Sequence, residues 1–238
     1  MPAPRSVLLL TTLALSAPLH AQPPAHWYRG NTHVHTTESD GNGTPAEVAR
    51  WYHDHGYDFV VITDHETITD VAPLNAALGD GGRFLVIQGQ EVTQQVADAT
   101  HPQGRRQAHV SAVGVTRVVR PLGEQGIARG TTIAATYARN LPAVRAAGGV
   151  PIVNHPNFRW SGGLADMTDL PDSTLFEVWN AQPHINNRGG GDGHGHVALS
   201  TEALWDSLLT RGTLLFGVAS DDAHKFRPEQ LRELGLTR

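Results

Sequence analysis

Short apolar runs in this chain end, one after another, on a side chain that can hold a metal ion. VVITDH ends on Asp64 and His65, VIQGQE on Glu91, and VPIVNHP on His155, while FGVASDDAH leads to Asp222 and His224. Ahead of these, NTHVH carries His33 and His35, with Asp40 following in a Ser-Asp-Gly turn. AHVSAVGV carries His109 inside an alternating run. Six strands thus deliver a ligand-type side chain, five of them at the C-terminal end. One strand-end histidine is an ordinary polar residue, but a set is hard to explain by packing. In closed α/β barrels the C-terminal ends of the strands carry the active site.

The apolar runs alternate with helical stretches, the pattern of an α/β domain. Strands are expected over 27–34, 59–63, 84–90, 108–115, 150–154, 175–179 and 214–219, most of them in parallel βα units. Helices are expected over 45–55, 131–147 with a break near Pro142, and 197–209. The first helix is well marked: Thr44 suits the N-cap, Pro45 the first helical position, and Glu47 completes a capping box. His33 and His35, two apart on a strand, point to one side and can reach one ion. Loops over 94–107, 156–173 and 180–196 are rich in Gly, Pro and Asp, and loops of that length are often functional.

The 238 residues suffice for one domain with a real core. Residues 1–21 read as a secretory signal: Arg5, an apolar run from Val7 to Leu15, and small residues before Gln22. That run is too short for a spanning helix, so the expectation is an exported domain over 22–238, periplasmic or secreted and without a membrane anchor. The chain has no cysteine, which excludes disulfides and thiolate metal sites. Any metal must be held by histidine and carboxylate. The formal charge is −5 with no basic run, which argues against a stable nucleic-acid complex. A small phosphorylated substrate is compatible with it.

Six histidines (His33, His35, His65, His109, His155, His224) and three carboxylates (Asp40, Glu91, Asp222) exceed the three protein ligands of a catalytic zinc. Such a set suits two or three divalent ions, and mixed imidazole and carboxylate ligands suit zinc, manganese or iron. Ions about 3.5–4 Å apart can share a carboxylate and a hydroxide, and can clamp an in-line displacement at phosphorus.

HVHTTESDG, ITDHE, GQE, NHP and SDDAH, in this order over about residues 30 to 225, resemble the PHP (polymerase and histidinol phosphatase) family. The resemblance implies a distorted (β/α)7 TIM-like barrel with a trinuclear metal site, in a family that includes phosphoesterases. EVWN at 177–180 and the pair Trp205 and Asp206 resemble an exported branch containing carbaryl hydrolase-type metallohydrolases, whose members usually continue further beyond the last motif. By motif, His33, His35, Glu91 and Asp222 would hold one ion. Glu91, as a bridge, would hold a second with His109 and His155. Asp40, His65 and His224 would hold a third. A hydroxide between the first two ions would attack phosphorus, which gives His33, His35, Glu91, Asp222 and His224 the catalytic roles. The same site could hydrolyse an ester, amide or carbamate, and a PHP domain can also serve as a non-catalytic binding module.

Several residues compete with this set. His101 rivals His109 but lies in a polar stretch, and Asp221 rivals Asp222 but does not fit D-x-H. Asp64 reads as a partner that orients a ligand. His53 and His55 form a second HxH at a helix C-terminus, where histidine complements the dipole. Asp192, His194 and His196 sit in a Gly-rich loop, GGGDGHGH, that is either flexible chain, a lid or an accessory metal site. Arg159 and Arg188 lie in long loops near the expected mouth, either one a candidate to hold a phosphate.

Overall fold

A computed structural model describes residues 26–122 and 126–227. The signal expected at 1–21 and the segment after residue 227 lie outside the described residues. Among the described residues, no helix is long and apolar enough to cross a membrane.

Barrel strands are numbered β1 (Gly30–Asn31), β2 (Phe59–Ile62), β3 (Leu85–Ala97), β4 (Arg105–Val113), β5 (Val150–Val153), β6 (Thr174–Asn180) and β7 (Leu215–Ser220). They lie side by side in chain order. Pairing is parallel from β1 to β3 and from β5 to β7, whereas β4 runs antiparallel to both neighbours. The sheet curls until its ends nearly meet. Val34, just past β1, bridges Ala223, just past β7, and His35 N donates to Ala223 O at 3.0 Å. This is the distorted (β/α)7 TIM-like barrel expected from the motifs.

The helices are α1 (Pro45–Asp54), α2 (Ala72–Leu78), α3 (Ile133–Ala146) and α4 (Thr201–Thr210). α1 starts as its sequence dictates: Thr44 accepts from Glu47 N, and Glu47 Oε2 accepts from Thr44 N at 2.7 Å. Val48 and Tyr52 of α1 pack with Val60, Ile62 and Val86 in one apolar cluster on the β1–β3 side. α3 and α4 cover the other side, where Ile133, Leu141 and Leu208 pack against Val110 and Phe176.

Four expectations need correction. The first strand, expected over 27–34, is reduced to Gly30–Asn31. The stretch 94–107 is not a loop: β3 and β4 extend through it as an antiparallel hairpin with its tip at 98–104. α3 runs unbroken through Pro142, because burying Ile133, Tyr137, Leu141 and Val144 at about 1.5–3 kcal/mol each outweighs the lost backbone bond. The helix expected from 197 begins at Thr201, since Val197–Ala198 pairs as a strand with Gly190–Gly191. α2 is an addition; seven residues with no capping side chain leave little periodicity to read.

Candidate metal centre

Val34 is fully buried in the apolar cluster, so its neighbours His33 and His35 must turn into the barrel, and both are buried. His33 Nδ1 faces Glu177 Oε1 at 3.3 Å, so Nδ1 donates there and Nε2 points inward, able to take an ion once its own proton is displaced. That Nε2 lies 3.2 Å from His35 Nε2, 3.3 Å from Asp222 Oδ1 and 3.4 Å from Glu91 Oε1.

Glu91 leaves β3 at the centre of the cluster. Its Oε1 is 3.1 Å from His109 Nδ1 and 3.2 Å from His155 Nε2. Its Oε2 is 3.4 Å from His35 Nε2 and 3.2 Å from His65 Nδ1. Each carboxylate oxygen therefore serves a different group of imidazoles. Asn154 Nδ2 donates to Oε1 at 2.7 Å and steadies it.

Asp40 stands at the open side, its side chain 57% exposed, between His224 Nε2 at 3.3 Å, His35 Nδ1 at 3.4 Å and His65 Nε2 at 3.7 Å. The turn that swings it there requires Gly41, because a Cβ at that position would lie 2.4 Å from His35 O. His155 (φ 21°) and Asp222 (φ 47°) take left-handed backbone at their strand ends. Non-glycine residues in such conformations cost about 1–3 kcal/mol each and cluster at functional sites.

The charges are set by this crowding. Burial opposes the imidazolium of His33, yet the carboxylates of Asp222 and Glu91 hold its pKa well above the ordinary range. Burial also opposes that of His35, but its close contacts with the carboxylates of Asp222 and Glu91 raise it to about 9. For His65, burial prevails and lowers the pKa to about 4. Burial would raise Glu91, and the charges of His33, His109 and His65 hold it well below the usual carboxylate range.

Do these residues fit a metal ion? Ligand sets His33–Glu91–His155, His33–His35–Asp222 and His35–Asp40–His65 each bring their donor atoms within 4.8 Å of one another. A tetrahedral ion with bonds of about 2.0–2.1 Å spaces its ligand atoms about 3.3–3.4 Å apart. The 3.2–3.4 Å separations among His33, His35, Glu91 and Asp222 match that edge. Asp222 Oδ1 is buried without a hydrogen-bond partner, although two imidazole nitrogens face it at 3.3 Å. An orphaned carboxylate oxygen facing converging imidazole nitrogens is what a divalent cation satisfies once it displaces their protons. The cluster can hold metal.

Solved structures of similar fold include two with a TM-score above one half. One is a two-domain protein from Bacteroides vulgatus containing a predicted PHP-like metal-dependent phosphoesterase, with TM-score 0.51, 18% identity, and 89% of this chain covered. The other is an amidohydrolase from Chromobacterium violaceum with bound sulfate and no metal, with TM-score 0.53, 14% identity, and 83% of this chain covered.

The chain shares the PHP-like barrel fold.

It spans 56% of the Bacteroides protein and 88% of the Chromobacterium one. In sequence, it matches no family model and no curated protein.

On this PHP-like barrel the remaining residues fall away from the cluster. His101 is buried at the hairpin tip, where its Nε2 donates to Arg159 O at 2.8 Å. Asp221 accepts from Tyr52 Oη at 2.8 Å, and His55 stacks on Trp51 at 4.0 Å. His53 pairs with Asp54 at 2.8 Å. Asp192 accepts from the backbone of His194 and His196 and from the His196 ring, so that loop is bonded to itself. Asp64 accepts from Thr36 N, Thr36 Oγ1, Ser39 Oγ and Thr69 Oγ1; Ser39 Oγ in turn lies 3.3 Å from His35 Nδ1. Asp64 thus braces the loop that carries the ligand turn.

Glu177 and Asn180 were missed by sequence reasoning as site residues. Glu177 binds His33, His155 N at 2.7 Å and Ser220, while Asn180 Nδ2 reaches Glu177 Oε2 at 2.9 Å and Asp222 Oδ2 at 3.1 Å. A signal was present: a carboxylate in the middle of the apolar run TLFEVWN needs a buried partner.

Proposed function

We propose that this chain is a PHP-type metal-dependent hydrolase whose leading chemistry is phosphoester cleavage. The observation that carries the reading is the orphaned Asp222 Oδ1 facing the Nε2 atoms of His33 and His35, with Glu91 alongside at ligand spacing. His33, His35, Glu91 and Asp222 would hold one ion. Glu91, His109 and His155 would hold a second, and Asp40, His65 and His224 a third. Manganese, zinc and iron suit these donors. When bound, such ions supply Lewis-acid polarisation and a nucleophilic water at neutral pH.

The protein's own contribution is positioning. Gln107 Oε1, 3.1 Å from His109 Nε2, turns that ring so that Nδ1 meets Glu91. Glu177 fixes the tautomer of His33. Above this floor opens a cavity of about 790 Å³, bordered by Arg105, Phe158, Arg159 and His184, large enough for a small phosphorylated substrate. The N-terminal sequence supports export of the mature domain.

The test begins with metal per chain by elemental mass spectrometry on the exported protein. About two or three equivalents are expected, since the donor set exceeds one ion. Matched aryl phosphate, aryl ester and aryl carbamate substrates follow. Phosphate release that disappears in His33→Ala supports the proposal. Turnover of the ester or carbamate alone replaces it with carbonyl hydrolysis by the same donors. No metal uptake points to a non-catalytic binding module.

A further inference from the structure

Beyond the metal cluster, β3 and β4 continue as a two-stranded wall. Side chains alternate across a strand, and opposed residues share a face. The register sets Thr93 against His109 and Gln95 against Gln107. Glu91, Thr93 and Gln95 therefore share a face with His109, Gln107 and Arg105, and all of them line the cavity. From floor to mouth, this wall changes from ligand-type groups, through neutral hydroxyl and amides, to one cation.

That cation is uncommitted. The next residue, Arg106, faces away and is fully engaged, with Nε donating to Ser161 O at 2.6 Å and the guanidinium paired with Asp166. The Arg105 side chain makes no hydrogen bond or ion pair among the described residues, and its Nε is buried without a partner. A buried donor without a partner is costly, and an anion is the group that satisfies a guanidinium best. Four residues of strand, about 13 Å, separate Arg105 from His109.

The opposite rim is built rather than loose. Arg159 (φ 51°) and Trp160 (φ 54°) hold left-handed backbone, and both line the same cavity. Trp160 Nε1 donates to Gly190 O at 3.0 Å, and His101 Nε2 donates to Arg159 O at 2.8 Å. Two hairpins thus pin the turn in a conformation it would not adopt alone.

We propose that Arg105 determines specificity by binding a second anionic group of the substrate, within about 13 Å of the scissile bond. The neutral band of Thr93, Gln95 and Gln107 accommodates an uncharged spacer between the two. The substrate class is a phosphoester carrying a separate carboxylate, phosphate or sulfate. The choice of scissile group rests on the phosphoesterase reading; the Arg105 subsite does not.

The experiment uses metal-loaded protein and two compounds: phenyl phosphate bearing a para propanoate arm, and the same molecule with that carboxylate as a primary amide. Wild-type protein is expected to favour the acid about tenfold in kcat/KM, the factor one charge-assisted hydrogen bond supplies. In Arg105→Gln the preference collapses to about one, and Arg105→Lys restores part of it. Equal use of acid and amide by wild type, or a preference that survives Arg105→Gln, overturns the inference. Calorimetry with the corresponding non-hydrolysable phosphonates reads the same preference without turnover. If the acid phosphonate binds better while no phosphate is cleaved, the phosphoesterase reading falls and Arg105 stands. If phosphate is cleaved with no acid preference, Arg105 falls alone; if neither phosphonate binds, both fall.

Discussion

His33 Nδ1 lies 3.3 Å from Glu177 Oε1, and both side chains are buried. The contact turns one ligand-type ring so that its other nitrogen faces Asp222 and Glu91. Glu177→Gln keeps the shape but puts an amide where His155 N, Asn180 and Ser220 all donate. Metal affinity is expected to fall about 10–100-fold, the usual effect of removing a partner that orients a ligand. Chelator competition measures this, and unchanged affinity in a folded variant would remove Glu177 from the site.

The metal-free protein should lose stability as pH rises from about 6.5 to 9. His35 is raised to about 9: burial opposes its charge, and close contacts with the carboxylates of Asp222 and Glu91 overcome that. A raised folded-state pKa means stability is fully present below the unfolded value, about 6.5, and is lost through the folded one. His33 and His155 are raised too and act in the same direction. Glu91 and Asp222 are lowered, so their contribution is lost only under acid conditions. His65, lowered to about 4, is neutral throughout the window. Metal must displace these protons, so the rise in Tm on adding zinc or manganese should grow with pH. A metal-free Tm that is flat or rising between these limits contradicts the assignment.

Gly41→Ala should damage the Asp40 turn. Its Cβ would meet His35 O at 2.4 Å and Thr36 N at 2.7 Å, both backbone atoms that cannot step aside cheaply. About 1–3 kcal/mol of destabilisation is expected in urea unfolding. Asp40→Asn, which leaves the backbone alone, should unfold near the wild-type midpoint. Equal midpoints for Gly41→Ala and wild type would mean that the turn relaxes freely.

Tyr52→Phe tests the tie between α1 and the strand ends. Tyr52 Oη donates to Asp221 Oδ2 at 2.8 Å and accepts from Asn31 Nδ2 at 2.7 Å, while Asn31 Nδ2 also reaches His33 O at 2.9 Å. Losing the hydroxyl leaves buried groups unpaired, at about 1–3 kcal/mol. Chemical denaturation reads this directly. A variant as stable as wild type would show that water replaces the hydroxyl.

Much of this protein was legible in the residues alone. The capping box fixes the start of α1, the apolar runs mark six of the seven barrel strands, and ligand-type residues on six strands mark one face as special. These are local properties: a cap, a period, or a spacing of two along a strand acts over a few residues and leaves its trace there. Tertiary structure decided what no local pattern encodes. It reversed β4 and turned the polar stretch 94–107 into a wall, because register depends on a partner strand. It buried Glu177 against His33, 144 residues away in sequence. It left Asp222 Oδ1 without a partner and sent Arg105 into the cavity while Arg106, one residue on, was paired outside it. Sequence names the donors; only closure of the sheet sets their separations, and separation determines whether imidazoles and carboxylates can share an ion.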